Sequence, residues 1–188
     1  MKKLFALISL VILMAFGNPS EDVISWDPEY RLSWEDFQGS VDPLRPEGVE
    51  SVTQVIIDLR SRMENQEVNF TVICLFEKNR SWTANTHSAY LLNHEQLHFD
   101  IAEVYARKLR KALAEIKGLN HQNFEPRVRD VYRKVLNEHN DIQDRYDRET
   151  RHSQNKEKQA EWNEKVSLML EQTLDYAGPE IILSLKGR

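Results

Sequence analysis

The sequence predicts an α+β fold, with an N-terminal antiparallel β-rich half packed on a C-terminal bundle of long helices. Three observations point there. Two runs rich in β-branched and aromatic residues, Val52–Leu59 and Val68–Phe76, flank a polar stretch at 63–67 that suits a hairpin turn. From His87 to Lys117, Leu91, Ile101, Tyr105 and Leu109 fall on one angular sector at about 100° per residue, the signature of a long amphipathic helix. Two further helical stretches follow it.

The chain has 188 residues, enough for one domain with a real core. It opens with Lys2 and Lys3, then an apolar run from Leu4 to Phe16 broken only by Ser9. That run falls short of the about 20 residues a membrane span needs and fits the core of a secretory signal. Ala15 and Gly17 are small residues placed for a cut after Gly17, and Pro19 breaks any continuing helix. The expectation is therefore a signal peptide at 1–17 and a single domain at 18–188, exported to the periplasm or the exterior. No stable membrane span would remain after cleavage. Loss of Lys2 and Lys3 takes the net charge from -5 to -7. Such an acidic chain does not suit nucleic acid, whose binders are usually basic. Cys74 is the one cysteine, so no disulfide can form within the chain; its apolar surroundings read as a buried small hydrophobe.

Trp26, Tyr30, Leu32, Trp34 and Phe37 supply large side chains to an early, less regular segment, as core or edge packing. Pro43, Pro46 and Gly48 mark a loop before the first long strand. Gly118 is a stop for the first helix, and Pro126 suits the first turn of the second. The second helix runs through Val131, Val135, Leu136 and Ile142 toward Arg151. A third covers roughly 156–176 and ends near Gly178–Pro179. The apolar tail Ile181–Leu185 is left to add a strand or pack on the surface.

The chemistry sits at the start of the first helix. His94-Glu95-Gln96-Leu97-His98 is an H-E-x-x-H motif. Residues four apart on a helix lie one turn apart and about 40° around, so both imidazoles can face one ion. Glu95, about 100° from His94, can reach a water activated by that ion but is poorly placed to ligate it. This division of labour is that of the zincins, zinc hydrolases in which the carboxylate is the general base. A third ligand is required. Glu103 and Asp100 lie about 180° and 200° around the helix from the histidines, so they face away. His121, His139 and His152 all remain open on spacing alone.

Several short elements, in order, resemble the bacterial family of predicted secreted zinc-dependent proteases catalogued as DUF922. Tyr30 to Gly39 looks like its L-x-W-x-D-F-x-G element, Leu92 to Ala102 like its H-E-x-x-H-F-D helix, Tyr146 to His152 like its Y-D-x-x-T-x-H element, and Gln159 to Trp162 like a trailing Q-x-x-W. The resemblance spans about 25–165. It implies a zincin-like fold, zinc as cofactor, and His152 as third ligand beside His94 and His98. The family pattern usually has Gly after this histidine, where Ser153 stands here. Tyr146 is a candidate hydrogen-bond donor to a developing oxyanion. Asp147, Asp100 and Glu103 are candidates to orient a ligand histidine. The expectation is an exported zinc metallopeptidase acting on a peptide or protein, with Glu95 as general base. The alternatives are a non-catalytic zinc-binding envelope module and a zinc hydrolase of another amide bond.

Overall fold

A computed structural model describes residues 22–185. The expected signal peptide at 1–17 lies outside them. Among the described residues no helix is long and apolar enough to cross a membrane. The elements run β1 (Val23–Ser25), β2 (Ser51–Val52), β3 (Val55–Glu64), β4 (Glu67–Glu77), β5 (Trp82–Thr83), α1 (Ala89–Ala114), α2 (Phe124–Thr150), α3 (Lys156–Gln172) and β6 (Glu180–Ser184). The α+β class holds: antiparallel sheets in the first half, three helices in the second. The apolar tail joins the sheet as β6.

β3 and β4 form a hairpin from Val55↔Phe76 to Glu64↔Glu67, turning at Asn65 and Gln66. Asn65 takes a left-handed conformation (φ 57°), which a short polar side chain tolerates. β4 is the sheet's centre. β3 covers one edge, while β1 and β6 share the other, at Leu75–Glu77 and Glu67–Thr71. Alternation along β4 aims Val68, Phe70, Val72, Cys74 and Phe76 at α1, each essentially inaccessible to solvent. Burying a side chain of the Val or Phe class gains roughly 1.5–3 kcal/mol.

α1 is more buried than a one-faced amphipathic helix would be. Sixteen of its 26 residues are buried. The reason is its position: β4 packs on one side while α2 and α3 pack on the other. Ser88 caps its N-terminus, accepting from the Leu91 amide at 3.0 Å. That cap lies under two turns before His94, so the start of α1 is fixed just ahead of the motif.

The early segment is tied to the back of α1. Trp26 Nε1 donates to Asp100 Oδ1 at 2.8 Å, and the Leu32 amide donates to Gln96 Oε1 at 2.8 Å. Asp36 collects bonds from Ser33 and Tyr30, and Gly39 donates to the Ser81 carbonyl at 2.8 Å. A Cβ on Gly39 would meet that same oxygen at 2.8 Å, which is why glycine fits there. The Leu32-to-Gly39 element is thus a structural clasp for α1.

Candidate metal centre

The centre is built where the first turns of α1 face the last turns of α2. His94 Nε2 and His98 Nε2 are 3.2 Å apart. Asp147 Oδ1 lies 3.1 Å from the first and 3.0 Å from the second. Three donor atoms thus form a near-equilateral triangle. Bonds of roughly 2.0–2.1 Å to a tetrahedral zinc imply ligand atoms about 3.3 Å apart. Two imidazole nitrogens and one carboxylate oxygen are also a zinc donor set, so the residues present fit such an ion.

Glu95 is 2% exposed, and its Oε2 accepts from Thr53 Oγ1 at 2.7 Å. Thr53 follows β2, and the segment Val49–Thr53 forms the wall of a cleft of about 240 Å³ whose other side is the motif face of α1. Asp147 and His152 complete the lining. β2 and β5 thereby hold the wall against the helix, with Ser51 Oγ donating to the Trp82 carbonyl at 3.0 Å.

Burial pushes the His98 imidazole down, but the Asp147 carboxylate and its hydrogen bond more than reverse this. Glu95 and Gln143 add to the rise, and the group reaches about 9. Asp147 moves the opposite way. Burial would raise it, but His98 and His94 hold its carboxyl well below the ordinary carboxylate range. The Asp147 carboxylate thus favours positive charge at this triangle, on His98 or on a bound cation.

The structure departs from two of the expected roles. The third atom at the triangle belongs to Asp147, one turn before the end of α2. His152 lies farther out, 47% exposed, with Nδ1 3.5 Å from Asp147 Oδ1. The cause is local. α2 ends at Thr150, and Arg151, His152 and Ser153 follow with φ of 51°, 49° and 70°. Those left-handed residues carry the His152 ring off the helix to the cleft's rim. Tyr146, proposed as an oxyanion donor, is fully buried and outside the cleft lining. Its ring stacks on His94 at 4.6 Å, and its hydroxyl donates to the His94 carbonyl at 3.2 Å. Burial raises its pKa strongly. It is a floor beneath the histidines rather than a donor in the cleft.

Asp100 and Glu103 are also spent elsewhere: Asp100 on Trp26 and Gln96, Glu103 on Arg107 and Arg110. His121 is exposed in the turn between α1 and α2, and His139 lies a turn before Gln143 on α2, bonded to it. Asp147 stood in the sequence only as a residue to orient a ligand. Its spacing of four from Gln143 and eight from His139 shows a helix stripe, but nothing local says that this stripe meets His94 and His98.

A model of the bacterial proteins of unknown function DUF922 matches residues 28–153. No curated protein and no solved structure matches the chain. The matched segment holds the clasp, the cleft wall, both histidines, Glu95, Asp147 and His152. Matched over most of its length, the chain belongs to the DUF922 family of bacterial proteins.

Proposed function

We propose that the protein is an exported zinc-dependent hydrolase of peptide bonds, with a zincin-like division of labour. The observation that carries this is the triangle of His94 Nε2, His98 Nε2 and Asp147 Oδ1 beside the buried Glu95 in a cleft. His94, His98 and Asp147 would hold the ion, with His152 beside its open side. When bound, zinc supplies Lewis acidity that makes water a nucleophile near neutral pH. Glu95 is the general base. Thr53 holds its Oε2, which leaves Oε1 to take the proton from water and pass it to the leaving amine. The wall at Val49–Thr53 faces Glu95 across the cleft, where a scissile bond would lie. The apolar run at Leu4–Phe16 supports export.

The test combines metal content with hydrolysis of a mixed peptide library. Wild type should hold about one zinc and cleave. Glu95→Gln should keep the zinc and lose at least about 100-fold in turnover, the scale of general-base catalysis. Asp147→Ala should lose the zinc, whereas His152→Ala should retain it. If wild type holds zinc, cleaves nothing and is matched by Glu95→Gln, the peptidase reading is wrong, and a binding module or a hydrolase of another amide bond takes its place.

A further inference from the structure

Each histidine of the triangle has a second ring nitrogen, and each meets a glutamine. His98 Nδ1 is 2.7 Å from Gln143 Oε1, on α2. His94 Nδ1 is 3.0 Å from Gln159 Oε1, on α3. The orientation of the first amide is fixed by its other end. Gln143 Nε2 donates to the His98 carbonyl at 3.0 Å, so a flipped amide would set two carbonyl oxygens against each other. The same Nε2 lies 3.0 Å from His139 Nε2, which can only accept from it. Gln159 Nε2 is likewise engaged, with Asn163 Oδ1 at 3.0 Å, while the Tyr146 hydroxyl lies against both ends of that amide, 2.7 Å from Nε2 and 2.9 Å from Oε1.

A carbonyl oxygen only accepts, so each facing Nδ1 carries a proton. The lone pair of each neutral ring then sits on Nε2, the atom aimed at the triangle. We propose that Gln143 and Gln159 are positioning residues of the metal centre, locking His98 and His94 in the Nδ1–H tautomer so that both Nε2 lone pairs serve one cation. This rests on the metal reading above. An amide does the orienting without adding charge, which leaves Asp147 as the one acid among the ligands. His139 and the His98 carbonyl hold Gln143 from behind, and Asn163 holds Gln159. Gln159 also lies beyond the 28–153 segment that matches the family, so α3 supplies part of the centre.

The experiment measures zinc affinity by competition with a chromogenic chelator on the full chain, beside the Tm of the metal-free form. Gln143→Met keeps the side chain's length and removes the acceptor. It should weaken zinc binding about 10–100-fold, the usual effect of losing an outer partner of a ligand, beside a lower metal-free Tm from the lost bonds to the His98 carbonyl and His139. Gln143→Glu restores the acceptor for His98 Nδ1 but sets its other oxygen against the His98 carbonyl, so it should recover only part of the lost affinity. Gln159→Met should weaken zinc by a similar factor and is the second variant, should Gln143→Met fail to fold. Affinity within threefold of wild type in the folded Met variants would overturn the proposal. So would equal losses in Gln143→Met and Gln143→Glu, since the loss would then follow packing. A wild type that binds no zinc would instead remove the metal reading, and this proposal with it.

Discussion

His94 and His98 are one helical turn apart, yet what makes them a site comes from other elements. Asp147 supplies the third atom, Thr53 aims Glu95, and a glutamine backs each ring. Tyr146 shows how residue identity misleads without position. A tyrosine near a zinc motif suggests a donor to substrate, but this hydroxyl is sealed beneath His94. Tyr146→Phe should cost about 1–3 kcal/mol of stability, because it leaves buried partners unsatisfied. Turnover at saturating zinc should stay within a few-fold of wild type. A hundredfold loss of turnover at unchanged Tm would return the hydroxyl to the reaction.

At the scale of elements, α2 carries the decisive stripe: His139, Gln143 and Asp147 at four-residue spacing, all turned toward α1. Its C-terminus is strained. A non-glycine residue in the left-handed region costs roughly 1–2 kcal/mol, and Ser153 sits there at φ 70°. Glycine gives back about 0.5–1 kcal/mol through the entropy of the unfolded chain. Ser153→Gly should therefore stabilise by up to about 1 kcal/mol in denaturant unfolding, and a destabilisation would show that the serine makes a compensating contact. His139 sets a pH dependence. Burial lowers it to about 4, with the Asn140 bond opposing and His98 adding to the drop. Its folded value is below its unfolded one, so as pH falls the unfolded chain takes the proton first. The stability is fully present above about 6.5 and drains away toward about 4, by up to about 3 kcal/mol. Unfolding of the metal-free protein at pH 7 and 4.5 should show that loss, and His139→Gln should flatten it. Equal slopes for the two proteins would contradict this.

Over the whole molecule, α1 is the hub, and one buried ionic cluster fastens three parts to it. Glu103 accepts from Arg107 at 2.8 Å and Arg110 at 2.9 Å. Arg110 also reaches the Val72 carbonyl on β4 and the Tyr176 carbonyl after α3, while Arg107 reaches the Leu170 carbonyl. All three side chains are nearly inaccessible. Removing the one acid strands two buried guanidinium groups, so Glu103→Gln should cost about 3–5 kcal/mol. A loss under 1 kcal/mol in denaturant unfolding would mean the arginines' carbonyl bonds suffice alone. The cluster lies about two turns beyond His98, so the candidate metal centre occupies the first half of α1 and the fastening the second.

Much of the fold was legible locally, because its signals have short periods. The β-branched and aromatic run of β4, the polar stretch around the hairpin turn and the long helical stretches each follow from neighbours in the chain. The H-E-x-x-H pair was legible for the same reason, since four-residue spacing on a helix is local geometry. The third donor was not. Asp147 meets the histidines 53 and 49 residues away, and Gln159 meets His94 across 65. Such meetings depend on how α2 and α3 pack against α1, and packing direction leaves no mark at any single position. Spacing told which residues share a helix face; only the tertiary structure decided which faces look at one another.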